Sequence, residues 1–386
     1  MDMNQQEALS STSISTSTFT SLSTTTPIST VTGEEVQILL AKLDRASPYL
    51  PRTIPYEDLS SPHHDKQNKS PKHLLQLESM INHLKAHNLL QKNTTYLEFG
   101  CGTAKLSDCI NERLQGQSSH LLIDRQTFSN ERKRDGNIIA RSKHPHRMKR
   151  LTMDIIDLNL HLHLDLLVDL PLLADLPLLA DLPLKFNNIP TVPVAVSKHL
   201  CGPAADATIQ CLATRQQTRI PLLVATCCHH SCQFNSFCNT HFVTQQLGFT
   251  KREFDILTIV SGWASIHIPH TSSSSTTTLS SSSTSSTTTT SSSATTTDHK
   301  ESFPPPLPME HLSQHLSLAT TTMVPSAVFE RTFRRIDKQQ LGKRCKVLLD
   351  TARAHHLVSL GYSVRLVQYT ALSMENHLLI ATPRND

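Results

Sequence analysis

The stretch YLEFGCGTAKLS, residues 96–107, decides the fold that this sequence predicts. Its first residues are typical of a buried strand, a Glu-x-Gly-x-Gly turn follows, and the remainder predicts the start of a helix. Gly100 and Gly102 lack the Cβ atom that would keep a ligand away from the backbone. The turn matches neither G-x-G-x-x-G nor the P-loop pattern. A structural strand–helix turn that binds no ligand is the alternative interpretation.

A second apolar strand, LLID at residues 121–124, ends in an acidic residue about twenty positions after the glycines, where dinucleotide folds bind ribose hydroxyls. The two features together resemble the first motifs of S-adenosylmethionine-dependent methyltransferases. That resemblance implies that Glu98, Gly100, Gly102 and Asp124 bind S-adenosylmethionine. Asp154 follows the third predicted strand and would accept a hydrogen bond from the adenine amino group. Helix capping is the alternative role for both aspartates.

Strand and helix patterns alternate from residue 94 to about 247, which predicts a parallel sheet with crossover helices. Strands are expected near 95–99, 120–124, 150–155, 192–197 and 221–226, and helices near 34–50, 72–90, 103–115, 204–214, 236–247 and 342–360. Residues 364–369 and 377–382 then predict an antiparallel hairpin, as seven-stranded methyltransferases have at one sheet edge. We expect a Rossmann-like, seven-stranded, class I S-adenosylmethionine-dependent methyltransferase fold of the α/β class.

Low-complexity segments interrupt this pattern in the chain of 386 residues. Residues 8–32 and 271–297 are almost entirely Ser and Thr, and they bury too little apolar surface to offset chain entropy. Residues 169–185 repeat DLPLLA, and a proline in every repeat prevents a continuous helix. We therefore expect a disordered tail (1–33), a helical segment (34–93) and a methyltransferase domain (94–386) that contains the repeat and a disordered insertion.

Charge and cysteine content restrict the class of protein. A formal net charge of +4 with 22 histidines is compatible with RNA binding but does not require it. Residues 131–150 are strongly basic, which indicates either phosphate binding or a solvated loop. Nine cysteines without a secretory signal indicate a reducing compartment, and no apolar run is long enough to span a membrane. The expectation is a soluble protein of the cytoplasm or nucleus, with no feature that demands a protein partner.

Polar clusters follow the fourth and fifth predicted strands, where open α/β sheets bind ligands. The first cluster is SKHLCG (197–202) followed by Asp206, and the second is TCCHHSC (226–232). The second cluster offers zinc-ligand types at Cys227, Cys228, His230 and Cys232. Adjacent residues usually point in divergent directions, however, so this spacing is poor for zinc. A substrate-facing loop is the preferred interpretation, with packing at the strand end as the alternative.

KHLCGPAAD (198–206) with CCHHSC (227–232) resembles the eukaryotic tRNA:m4X modification enzymes, which methylate the ribose of the fourth nucleotide in the tRNA acceptor stem. The resemblance covers most of residues 72–382 apart from the repeat and the Ser/Thr insertion. It includes KHLLQLES (72–79), LIDRQTFSNERKRD (122–135), RLTMDIIDLNL (150–160), SGWA (261–264), LGKRCKVLLDTAR (341–353) and SMENHLLIA (373–381). It implies a tRNA substrate, and also zinc, because family members usually begin with Cys/His zinc-finger modules. Here no cysteine precedes Cys101, which stands where the family usually has a small residue.

The strand-end residues suggest a mechanism for methyl transfer to a ribose hydroxyl. Lys198 would lower the pKa of the hydroxyl by its charge, and His199 or His229 would take the proton. Asp206 would hold the imidazole in orientation.

Two alternatives remain open at this stage. One is a cytosine C5-methyltransferase with Cys227 or Cys201 as the nucleophile. The other is a non-enzymatic RNA-binding protein with a decayed methyltransferase fold.

Overall fold

The computed structural model describes residues 31–60, 71–129, 131–143, 148–160, 193–213, 219–266 and 333–384. The hexapeptide repeat, the Ser/Thr insertion and nearly all of the predicted N-terminal tail lie outside these residues. The domain boundaries given above therefore stay predictions. The first helix begins at Gly33, where the Thr32 hydroxyl accepts a hydrogen bond from the Glu35 backbone in a reciprocal capping box.

One seven-stranded sheet organises the described residues, and its strand order is β3-β2-β1-β4-β5-β7-β6. The strands are β1 (Thr94–Phe99), β2 (Ser118–Asp124), β3 (Met148–Thr152), β4 (Val194–Cys201), β5 (Leu222–Cys227), β6 (Tyr362–Gln368) and β7 (His377–Pro383). Strands β1 to β5 pair in parallel, whereas β7 runs antiparallel to both of its neighbours. The predicted α/β class and the C-terminal hairpin at a sheet edge are confirmed.

Seven helices of nine or more residues accompany the sheet in the described part of the chain. They are α1 (Gly33–Ala46), α2 (Pro71–Ala86), α3 (Lys105–Arg113), α4 (Glu131–Arg141), α5 (Pro203–Ala213), α6 (Lys251–Ser261) and α7 (Arg335–Ser359). None of these described helices combines the length and the apolar character needed to cross a membrane.

The helix predicted at 236–247 is wrong. That region contains two short turns, Phe234–Ser236 and the π-helical Phe242–Gln246, and the helix begins later, at Lys251. Gly248 has a φ of +70° and ends the turn. The Thr250 side chain then caps α6 in a capping box with Glu253, a Thr-x-x-Glu signal that apolar periodicity alone does not reveal.

Apolar side chains cover both faces of the sheet, as expected for parallel strands. Every residue of β1 is buried. On one face, Tyr96 packs with apolar residues of α2 and α3. On the other, Leu97 and Phe99 share a cluster with residues of α5 and α7. A third cluster joins α1 to α6 and α7, so both N-terminal helices pack on the same body as the sheet.

Candidate functional site

A cavity of about 820 Å³ opens at the carboxyl ends of β1, β2 and β4. Strand order reverses between β1 and β4, so the cavity lies at the switch point where open α/β sheets bind ligands. Seven residues predicted from the sequence line it: Glu98, Gly100, Gly102, Asp124, Asp154, Lys198 and His199. The structure therefore brings the predicted cofactor residues and two of the four predicted catalytic residues together.

The glycine turn is held in a left-handed backbone conformation that suits a close ligand. Gly100 and Gly102 have φ values of +60° and +50°. The Gly102 N–H donates a 2.8 Å hydrogen bond to Oδ2 of Asp124, which ties the end of β1 to the end of β2. A Cβ atom at Gly102 would come 4.0 Å from the Phe128 ring at the cavity wall. The turn thus leaves the space in front of its backbone open.

Glu98 is almost fully buried, and its carboxylate has a structural partner. Its Oε2 accepts a 2.9 Å hydrogen bond from the Ser107 N–H in the first turn of α3. Ala104, the residue before that helix, provides no side-chain cap. Burial raises the pKa of Glu98 to about 7, against the lowering effect of the Ser107 hydrogen bonds. Glu98 therefore fixes the helix that follows the glycine turn, as well as lining the cavity.

In the basic segment 131–150, the described residues include helix α4 and the start of β3, and several of the charges are paired within the chain. Arg134 and Arg141 both form ion pairs with Asp108 of α3. Arg150 binds both carboxylate oxygens of Asp135, and its Nη1 donates a 3.0 Å hydrogen bond to the Gly102 carbonyl. These three arginines hold α3, α4 and the glycine turn together, and phosphate binding by the other basic residues of the segment stays a prediction.

Lys198 and His199 form a pair on the cavity wall at a β-bulge. The pairing of β4 with β5 shifts between Lys198 and Leu200, and His199 there has a φ of +68°. Nζ of Lys198 lies 2.9 Å from Nε2 of His199. Burial and the nearby Lys105 charge lower the pKa of Lys198 to about 8. Burial and the Lys198 charge lower the pKa of His199 to about 4, so its imidazole is neutral at pH 7.

The structure does not bring Asp206 and His229 to the cavity, because neither residue is among those that line it. Asp206 is fully buried and accepts two hydrogen bonds, of 3.1 and 2.8 Å, from the Arg353 guanidinium. The Nε2–H of His229 donates a 2.8 Å hydrogen bond to Oδ2 of Asp350. Asp350, not Asp206, therefore orients this imidazole.

Asp350 and Arg353 of α7 are the centre of a buried polar network. It joins α7 to strands β5 and β7 and to helix α5. Oδ1 of Asp350 accepts from Arg353, and its Oδ2 lies within 3.0 Å of donors on Thr226, His229 and His377. Burial would raise the pKa of Asp350, but the charge and hydrogen bonds of His229 and His377 hold it well below the usual value. A carboxylate with this many partners stabilises the fold behind the cavity and has no capacity left for a substrate.

The sulfur atoms of Cys201, Cys227 and Cys228 lie within 4.8 Å of one another at the ends of β4 and β5. We call these three residues the thiol cluster. Sγ of Cys201 is 3.1 Å from Sγ of Cys227, and this hydrogen bond lowers the pKa of Cys201 to about 6 while it raises that of Cys227. Cys201 also lines the cavity.

The other predicted zinc ligands lie outside the thiol cluster. Cys232 is buried, with its Sγ 3.1 Å from Nη2 of Arg353, and the exposed His230 packs its Cβ against Gly262. A second possible ligand group, His229 with Asp350 and His377, is fully buried. The Arg353 cation lies 3.0 Å from its carboxylate, so that group is unsuited to a further cation.

Three basic residues at the cavity were not predicted: His73, Lys105 and Arg125. All three are exposed and line the cavity. No described residue forms an ion pair with Lys105 or Arg125. Each lies within a stretch quoted in the sequence analysis (72–79, 96–107 and 122–135), and that position is the signal that could have identified it. We call these three residues the basic rim.

A comparison with protein families gives a match to the family described as methyltransferase TRM13, over residues 75–304 and 313–382. The chain is 35% identical over 203 residues to the tRNA:m(4)X modification enzyme TRM13 homologue of Dictyostelium discoideum, covering 50% of this chain and 34% of the relative. It is 30% identical over 263 residues to the Schizosaccharomyces pombe tRNA:m(4)X modification enzyme TRM13, covering 65% and 64%. For the human homologue the identity is 24% over 415 residues, covering 93% and 76%. The chain thus spans about a third to two thirds of the first two relatives, and no solved structure matches it.

Proposed function

Because this chain belongs to the TRM13 methyltransferase family, we propose that it transfers a methyl group from S-adenosylmethionine to a ribose 2'-hydroxyl at nucleotide 4 of the tRNA acceptor stem. One observation carries the proposal: the glycine turn with Asp124 and the Lys198–His199 pair line the same cavity. The seven-stranded sheet with a single antiparallel strand supports the class I methyltransferase fold.

The cavity fits the proposed methyl donor. Its volume of about 820 Å³ lies within the usual range for small-molecule sites, about 300–1,000 Å³. Asp124 lies where ribose hydroxyls would donate to its carboxylate. Asp154 uses Oδ1 to cap the turn Ile155–Asp157, which leaves Oδ2 for the adenine amino group. S-adenosylmethionine supplies a methyl group that its sulfonium charge already activates.

Lys198 is the group in this cavity that best fits removal of the hydroxyl proton. Its pKa of about 8 allows a substantial fraction of neutral amine at physiological pH. His199 accepts a hydrogen bond from Lys198 at 2.9 Å, so it holds the amine in place without competing for the proton. This assigns the base to Lys198 and a positioning role to His199, in place of the roles given to His199 and His229 from the sequence.

Lys105 and Arg125 of the basic rim supply positive charge for a polyanionic substrate, whereas burial and the charge of Lys198 lower the pKa of His73 and favour its neutral form. The charges of Lys105 and the exposed Lys72 both lower the pKa of Lys198. These two cations therefore lie near the amine that would meet the substrate ribose. Acceptor stems are double-stranded, and proteins bind such RNA through phosphates, ribose hydroxyls and helix shape. Charges at the cavity mouth would place a ribose beside Lys198 without reading its base.

The test is transfer of labelled methyl from S-adenosylmethionine to unmodified tRNA, followed by nucleoside analysis. Label in 2'-O-methylnucleosides that maps to position 4 supports the proposal. Label in 5-methylcytidine would contradict the ribose assignment and implicate the thiol cluster. Cofactor binding without transfer to any tRNA would contradict the activity, and a chain that binds no cofactor would contradict the site.

A further inference from the structure

The thiol cluster brings three sulfur ligands together from the ends of two neighbouring strands, and the β-bulge decides which of them face each other. The register shift at His199 places Cys201 opposite Cys227. Without the shift, the pairing of Lys198 with Ala225 would continue and position 201 would face position 228. The bulge therefore brings the sulfur of β4 next to the last sulfur of β5.

Cys228 joins the cluster because of its backbone conformation. Consecutive side chains of a strand point to opposite faces, which argues against Cys227 and Cys228 sharing an ion. Cys228 leaves β5 with φ 48° and ψ 41°, in the left-handed region, and its sulfur thereby falls within 4.8 Å of the other two. A left-handed conformation is strained for a non-glycine residue, and such strain concentrates at functional sites.

The spacing of the sulfur atoms suits a tetrahedral thiolate site. Zinc–sulfur bonds of about 2.3 Å place the sulfur atoms of such a site about 3.8 Å apart. The Cys201–Cys227 separation is 3.1 Å and no pair of the three sulfur atoms is more than 4.8 Å apart, so small shifts would reach that spacing.

We propose that Cys201, Cys227 and Cys228 bind one zinc ion, which ties the end of β4 to the end of β5 beside the cavity. On binding, the three thiols lose their protons to solvent and form three zinc–sulfur bonds. Cys201 lines the cavity, so the ion would lie at its wall, and a water molecule would complete the coordination. The ion fixes the strand end that carries Lys198 and His199. This site does not depend on which nucleic acid is methylated.

The experiment measures metal content of the full chain, purified without an affinity tag under reducing conditions. The expected result is about one zinc per chain by mass spectrometry. Cobalt added to the zinc-free protein should give the sulfur-to-cobalt charge-transfer absorption of a thiolate site, which histidine ligands alone do not produce. This absorption therefore distinguishes cobalt bound by the thiol cluster from cobalt bound by the many histidines of the chain.

The variants Cys201→Ser and Cys228→Ser should each lose most of the zinc and the charge-transfer band. Cys109→Ser is the matched control, because Cys109 is a half-buried cysteine on α3 outside the cluster. Circular dichroism shows whether each variant folds. Because Cys201 is exposed, Cys201→Ser is the variant expected to disturb the fold least. Zinc retained by both cluster variants, absence of zinc and cobalt binding in the wild type, or a Cys201–Cys227 disulfide in the purified protein would overturn the proposal.

Discussion

Replacing Lys198 with arginine separates the two roles that a cation beside the substrate can have. Arginine keeps the positive charge, but its guanidinium does not deprotonate in proteins and therefore cannot accept a proton. If Lys198 acts as the base, Lys198→Arg removes catalysis. If it acts only through its charge, the variant stays active.

The pKa of Lys198 sets the expected size and direction of the effect. A lysine with the ordinary value of 10.5 has about one neutral molecule in three thousand at pH 7, whereas a pKa of about 8 gives about one in eleven. Burial and Lys105 thus enrich the amine by about 300-fold. Since a positioned base contributes about 10²–10⁴-fold, the methyl-transfer rate of Lys198→Arg should fall by that factor.

The assay is single-turnover methyl transfer to tRNA between pH 6 and pH 9.5, with S-adenosylmethionine affinity measured in parallel. The amine fraction grows as the pH rises, so the wild-type rate should increase about tenfold per unit below pH 8 and level off above it. Lys92→Arg is the control, because Lys92 is exposed before β1, at the opposite end of the sheet from the cavity. A Lys198→Arg rate within threefold of wild type, or a wild-type rate that does not change across pH 8, would refute the assignment.

Three further substitutions test other parts of the structure. Arg353→Met leaves Asp206 buried without its cation, so urea denaturation should show a free energy of unfolding lower by about 3–5 kcal/mol. Gly102→Ala disfavours the φ of +50° at the cofactor turn by about 1–2 kcal/mol, so calorimetry should show S-adenosylmethionine binding about 5–30-fold weaker. Lys105→Glu removes a cation of the basic rim, so tRNA affinity should fall and the slope of its logarithm against log salt should decrease by about one.

Each substitution has a matched control in the same chain. Lys343→Met removes an exposed cation from the same helix as Arg353 and should leave unfolding unchanged. Gly136→Ala adds a methyl group to α4 where no atom lies within 4 Å, so cofactor affinity should not change. Lys92→Glu should affect tRNA binding less than Lys105→Glu. Equal effects in any test variant and its control would contradict the corresponding interpretation.

The cofactor side of the cavity could be predicted from the sequence because its determinants are local. Gly100, Gly102 and Asp124 belong to two consecutive strands, and their spacing alone places them at one sheet edge. Glu98 was placed correctly at the cavity, but its bond to Ser107 depends on how α3 packs against β1. Sequence reasoning identified the position and missed the partner.

The buried network could not be predicted, because its partners are far apart in sequence. Asp206 and Arg353 are separated by 147 residues, and His229 and Asp350 by 121. Polar residues after a strand were expected to face the ligand, whereas those of β5 turn inward to α7. Cys227 and Cys228 were named as possible zinc ligands, but their grouping with Cys201 was not predicted, because the rule that adjacent side chains diverge fails at the left-handed Cys228.

The placement of β7 between β5 and β6 has a consequence for synthesis on the ribosome. β5 is complete at residue 227, but its hydrogen-bonding edge has no partner until His377–Pro383 emerges. Asp206 likewise lacks its guanidinium for the 147 residues that precede Arg353, about 7–30 s of translation at 5–20 residues per second. Release of a chain truncated before α7 would leave an open strand edge and a buried carboxylate, a combination that favours aggregation and recognition by chaperones.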